Sequence, residues 1–226
     1  MKTLKTLLIL LTTTIMMAQN TPQPSVDVTG EGIVHVVPDQ VTINVRVENN
    51  GKNAKELKQL NDRTVNDVLA TIKRMGIDDK DVRTEYIRLD KNYDYNTKTY
   101  SFAANQAISI KVKDLSKYEP LMNALLESGI NRIDGIAFSS SNQDALESQA
   151  RKKAVENAQI KAKEYAAVLN QSIGKAISIS EFSQQSGPQP MYKVMAMESD
   201  MGGGQQTIAP GEIEIKMRVN VSFVLN

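Results

Sequence analysis

The chain has 226 residues, with 27 Lys and Arg against 26 Asp and Glu, one histidine and no cysteine. The lack of cysteine excludes disulfides, thiolate metal centres and cysteine nucleophiles. The near-neutral balance gives no basic surplus for nucleic acid. A chain of this length can be stable through its core alone, without covalent staples.

The first residues read as a targeting segment. Lys2 and Lys5 precede an apolar stretch from Leu7 to Met17, diluted by three threonines, and Met16-Met17-Ala18 ends on a small residue. The stretch is short for a membrane span, so residues 1–18 are expected to form a cleaved secretory signal. Its loss removes two lysines, leaving 25 basic residues against 26 acidic ones. No later apolar run is long enough for a transmembrane helix. The mature chain is therefore expected in a periplasm-like space, with residues 19–25 (QNTPQPS) as a flexible lead-in.

The first strand pattern runs from Val26 to Glu48 and changes apolar phase at Pro38-Asp39. A phase change at a proline predicts a bulge, bend or turn. Asn49-Asn50-Gly51 ends this pattern. A helix is predicted from Ala54 to Met75, with Asn53 as N-cap and Gly76 as a left-handed stop. Leu57, Leu60, Val65, Val68 and Ile72 supply its apolar side. Strands at Val82 to Lys91 and Ala104 to Val112 flank a hairpin tip at Tyr93 to Tyr100.

Ser116 and Glu119 have capping-box spacing ahead of a second helix with Leu121, Leu125 and Leu126 on its buried side. Gly129 stops it, and Ile130 to Ser139 reads as a strand. The endings Met75-Gly76-Ile77 and Ser128-Gly129-Ile130 match, suggesting two successive β-α-β units. The third helix, from Asn142 or Gln143 to about Asn170, has alanine at 150, 154, 158, 162 and 166, a stripe suited to close packing. Leu146, Tyr165 and Leu169 add bulk. A strand from Lys175 to about Phe182 follows, then an irregular Gln-, Gly- and Met-rich loop at about 183–210. The last strand alternates from Ile213 to Leu225.

These residues together resemble the SIMPL-domain family of bacterial envelope proteins and related eukaryotic signalling adaptors. The resemblance rests on Gly30-Glu31-Gly32, Pro38-Asp39, Gly76-Ile77, Thr84, the alanine-rich third helix and Pro210-Gly211-Glu212. Asn170 departs from it, standing where relatives often have glycine; asparagine also tolerates the left-handed conformation. The expected fold is α+β, as one domain over 26–226. It has a mixed, mostly antiparallel sheet and about three helices: two β-α-β-like units, then the long alanine-rich helix and two further strands. The resemblance also implies a periplasmic or outer-membrane-associated location, a link to oxidative-stress defence, and homo-oligomers. It brings no catalytic residues and no cofactor.

Several residue groups have side chains that could carry chemistry. His35 is the one histidine, with Asp39 and one of Ser139 to Ser141 as imaginable triad partners, and no GxSxG elbow is present. Gly30-Glu31-Gly32 lacks the lysine and following helix of a phosphate loop and reads as a bulge or close backbone approach. Met191, Met195, Met197 and Met201 offer thioethers that suit Cu(I) or absorb oxidants; packing or interface contact is the other use. Tyr93, Tyr95, Tyr100 and Phe102 concentrate aromatics at one hairpin, as interface residues or as cross-strand packing. Arg151-Lys152-Lys153 reads as a solvated helix face. The leading expectation is a non-enzymatic, oligomeric envelope protein supporting stress resistance, with envelope proteins as further partners. A copper- or oxidant-handling module and a hydrolase are the alternatives.

Overall fold

The computed structural model describes residues 23–181, 190–191 and 210–226. The expected signal segment, most of the expected lead-in and nearly all of the expected loop at 183–210 lie outside the described residues. The elements are β1 (Ser25–Val36), β2 (Gln40–Gly51), α1 (Ala54–Arg74), β3 (Val82–Asp94), β4 (Thr99–Val112), α2 (Tyr118–Glu127), β5 (Arg132–Ser139), α3 (Gln143–Val168), β6 (Ile173–Glu181), the two-residue β7 (Pro190–Met191) and β8 (Glu212–Leu225). The α+β class is borne out. The strands fall into two sheets, however, ordered β1-β8-β6, with β7 also on β8, and β3-β4-β2-β5. The phase change at Pro38-Asp39 is the point where the chain leaves the first sheet for the second. The chain divides into two compact units.

One unit comprises Val34–Leu146 and Gln185–Ile215. In it β2 and β3 are each antiparallel to β4, so they run parallel with β4 between them, joined by α1. Likewise β4 and β5 flank β2, joined by α2. This is the split, ferredoxin-like β-α-β-β-α-β arrangement. Val41, Ile43, Val45 and Val47 of β2 and Ile108, Ile110 and Val112 of β4 form one sheet face, packed on Val65, Val68 and Ile72 of α1 and Leu121 and Leu125 of α2.

Both crossover helices end alike. Gly76 and Gly129 take φ of +72° and +106°, and the following Ile77 and Ile130 donate to the carbonyls of Ile72 and Leu125. The glycine conformation closes the helix and buries the isoleucine after it. Asn53 caps α1 as expected, its side chain accepting from the Lys55 and Glu56 amides. Two expected core residues are exposed instead: Leu60 and Leu126. At 100° per residue, Leu60 falls off the row through Leu57, Val68 and Ile72. Asn61 takes the buried place, bonded to Asn49 at 3.2 Å. The capping box at Ser116 and Glu119 is not formed. Asp114 accepts from the Ser116 amide and opens a short 3₁₀ turn before α2.

The other unit comprises Met1–Ile33, Glu147–Gln184 and Lys216–Asn226. Val28 of β1 and Val219, Val221 and Phe223 of β8 pack on Ala154, Ala158 and Ala162 of α3. All five alanines of the stripe are buried, whereas Tyr165 and Leu169 are exposed. Asn170 ends the helix region in the left-handed conformation, φ +56°.

Candidate functional site

The alanine stripe explains the glycines of β1. A Cβ on Gly30 would meet the Ala154 carbonyl oxygen at 1.9 Å, and one on Gly32 would meet that of Ala150 at 1.9 Å. Two residues along a strand advance about 6.6 Å and four along a helix about 6.0 Å, so glycine at every second place matches alanine at every fourth. The GEG segment is thus a close backbone approach, and helix backbone fills the space a phosphate would need. Glu31 points away and pairs with Arg218 at 2.6 Å and Lys216 at 2.9 Å. Hydrogen bonds from these two cations hold its carboxyl below the ordinary glutamate range.

The same helix covers the free edge of β1. Lys161 Nζ donates to the Thr29 carbonyl, the Glu31 amide donates to Asn157 Oδ1, and Lys153 Nζ donates to the Ile33 carbonyl. The row at 153, 157 and 161 lies beside the alanine row, one turn per strand repeat. Arg151 is also engaged, bonded to Glu181 of β6 at 2.7 Å. Two residues of the Arg151-Lys152-Lys153 run therefore hold the unit together, which a purely solvated helix face does not describe. The sequence signal for this was a polar residue, Lys153, Asn157 or Lys161, directly before alanines 154, 158 and 162.

The triad residues are not assembled. His35 is exposed at the end of β1, and its ring has no hydrogen-bond partner among the described residues. Asp39 and Ser141 do meet: the Ser141 amide donates to Asp39 Oδ1 at 2.7 Å and its hydroxyl donates to Oδ2. These bonds, the hydroxyl's first, hold the Asp39 carboxyl below the ordinary range. The serine hydroxyl is thus held by a carboxylate of lowered basicity that clamps the chain just before α3, and among the described residues no imidazole stands ready to activate it. Among the described residues no cluster of His, Asp and Glu could hold a metal ion. Met195, Met197 and Met201, and the side chain of Met191, lie outside the described residues.

What stands out is the β3–β4 hairpin. Its turn forms because Asp94 Oδ1 accepts from the Asn96 and Thr97 amides while Lys98 adopts φ +51°. Those bonds, led by the Asn96 amide, also lower the Asp94 pKa. Tyr93 stands opposite Tyr100 across the strands. Its ring lies 4.9 Å from Tyr100 and 5.1 Å, edge-on, from Tyr95, and Lys91 Nζ sits 4.0 Å above the Tyr100 ring. The cluster is internally packed yet open: Tyr95 is 84% exposed and Tyr100 56%, with Phe102 half-buried.

A bulge between Thr84 and Tyr86 puts Ile87, Leu89, Lys91 and Tyr93 opposite Gln106, Ala104, Phe102 and Tyr100. That is the sheet face of the core, continued beyond the helices. Ile87 and Leu89 are exposed there. Apart from Val82 and Tyr86, every residue of β3 is exposed, and β3 is the last strand of its sheet.

The opposite face carries a shallow concavity of about 510 Å³, lined by Thr42, Asn44, Tyr86, Ser109 and Asp134 among others. Its charges are matched: Asp134 pairs with Arg46 at 2.8 Å and Arg132 at 3.1 Å, and Arg83 with Glu85 at 2.6 Å. The Arg46 and Arg88 guanidiniums lie 5.6 and 5.1 Å from the Tyr86 ring centre. This is a salt-bridged sheet surface, with no nucleophile and base in reach of each other.

The described residues form an α+β fold with an exposed aromatic hairpin and, among them, no assembled catalytic group. The chain belongs to the SIMPL family, described as a protein of unknown function (DUF541), which it matches over residues 26–223. It is 29% identical to the 26 kDa periplasmic immunogenic protein of Brucella melitensis, over 91% of this chain and 86% of that one. It is 25% identical to the uncharacterized protein YggE of Escherichia coli K12, over 89% of this chain and 83% of that one. Neither name indicates a catalytic function. Among solved structures, AtUAH in complex with (S)-hydroxyglycine aligns at 10% identity over 59% of this chain and 35% of that one. Its TM-score of 0.26 is too low to inform fold or function. No helix of the described residues is long and apolar enough to cross a membrane.

Proposed function

We propose that the chain is a secreted, periplasmic, non-enzymatic protein of the cell envelope that acts as a homo-oligomer and supports resistance to oxidative and envelope stress. The observation that carries the assembly is the contrast between two sheet edges. The edge of β1 is closed by Lys153, Asn157 and Lys161. Among the described residues the edge of β3 is open and bordered by exposed Ile87, Leu89 and the tyrosine cluster. Open apolar edges are normally covered, because their free amides and carbonyls recruit another chain. The periplasmic location draws on the name of the Brucella relative, and the stress role on the resemblance to the family. Light scattering and native mass measurement on the purified chain test the assembly. Masses at multiples of the monomer are expected; a strict monomer at high concentration overturns the reading.

A further inference from the structure

We propose that β3 pairs antiparallel with β3 of a second copy, with Leu89 on the two-fold axis, joining two four-stranded sheets into one. The inference rests on the reading of the chain as an assembly and specifies its contact.

The choice of β3 follows from the four sheet edges. The edge of β1 is capped by α3 side chains. The pairing of β6 is broken twice, between Ile173 and Ala176 and between Ala176 and Ser178, and that of β5 once, opposite Asn44 and Val45. Bulges twist an edge and disfavour a new partner. From Tyr86 to Asp94, β3 keeps unbroken register and contains no proline.

The choice of a second copy follows from the charges. Arg88 and Asp90 stand two apart on one face of β3, and neither has an ion-pair partner among the described residues. Pairing centred on Leu89 places Arg88 opposite Asp90 of the second copy, twice per dimer. On the other face Leu89 meets Leu89 and Ile87 meets the aliphatic stem of Lys91, covering apolar surface that is now exposed. Moving the centre to Arg88 or Asp90 opposes like charges, Arg88 to Arg88 or Asp90 to Asp90. A centre on Lys91 opposes lysine to lysine, and one on Ile87 puts Arg83 opposite Lys91. Like charges directly opposite destabilise a strand pair. Of these five registers, only the one centred on Leu89 opposes no like charges and gives both Arg88 and Asp90 an ion-pair partner.

The chain has no cysteine, so Leu89→Cys introduces a single thiol. Opposed residues in an antiparallel pair have Cα atoms about 4.5–5.5 Å apart, within disulfide range. Mild oxidation of Leu89→Cys is expected to give a covalent dimer. Ile87→Cys and Lys91→Cys, each about 13 Å from its own counterpart in this register, give none alone but link when mixed. Arg88→Asp and Asp90→Arg each weaken self-association about tenfold, and the double swap restores it. All these positions are exposed, so the fold is retained. A chain that assembles without the Leu89 link and ignores the charge swaps overturns this interface and leaves the assembly standing. A strict monomer overturns both.

Discussion

Gly32 of β1 faces the Ala150 carbonyl of α3 so closely that a methyl group has no place: a Cβ would lie 1.9 Å from that oxygen and 2.5 Å from the Ala154 amide nitrogen. The obstacle is backbone, which cannot swing aside as a side chain would.

Gly32→Ala and Gly30→Ala are therefore expected to destabilise the fold by about 3 kcal/mol or more, at the upper end of overpacking costs. Gly135→Ala is a control, since nothing lies within 4 Å of a Cβ there. Denaturant midpoints measure both. A loss at Gly32 no larger than at Gly135 refutes the close approach.

Asn157 gives a more local prediction. Its Oδ1 accepts from the Glu31 amide at 3.1 Å on the outer edge of β1. Asn157→Ala should speed hydrogen exchange at Glu31 several-fold while leaving the amide of buried Val28 unchanged, because only the outer amide loses its partner. Equal exchange in both proteins counts against the edge cap.

Asn53→Ala tests the first helix. The side chain accepts from two amides at 2.9 and 3.3 Å. Its loss should cost about 1 kcal/mol, seen as a lower urea midpoint with unchanged slope.

Asp39 predicts a pH dependence. Its folded pKa is depressed by bonds from Ser141. The unfolded carboxyl therefore binds a proton more readily than the folded one. The stabilisation is present above the ordinary carboxylate value, about 4, and is lost as pH falls through the depressed folded value. Asp39→Asn should be less stable than wild type at pH 7, with the difference shrinking as pH falls below the ordinary carboxylate value of about 4. A series of urea midpoints across that range reads the difference; a constant gap contradicts the clamp.

The parts of this fold that local chemistry dictates were legible in the sequence. Asn53, Gly76, Gly129 and Asn170 mark helix ends because a cap or a left-handed residue acts within one turn. The alanine stripe declared a buried face, and the proline announced a break in the first strand pattern. What stayed hidden depends on partners far along the chain. Nothing near Pro38 says that β1 will pair with β8 while β2 pairs with β4 and β5. The burial of Asn61 was not visible in the helix pattern, because its partner Asn49 comes from β2, outside the helix. At Ser116, two acceptors competed for one amide, and Asp114 took it.

The candidate surface was half legible. Four aromatics near one turn were visible as a cluster. Their place at the end of an open edge depended on the bulge at Thr84, which turns Ile87 and Leu89 to the core face of the sheet. A count of alternating residues across that bulge puts them on the wrong side.

The partners of β1 have a consequence for the order of events in time. The strands and helices from β2 to β5 are consecutive in sequence and can close on one another as soon as they emerge. The strand β1 must wait for α3 and β8; Glu31 meets Arg218 across a separation of 187 residues. Contacts so distant form late, because a long loop must close before they reward the chain. The two ends of the polypeptide are thus sewn together last, and Gly32→Ala should slow that final step while leaving the early collapse of the middle segment at its native rate.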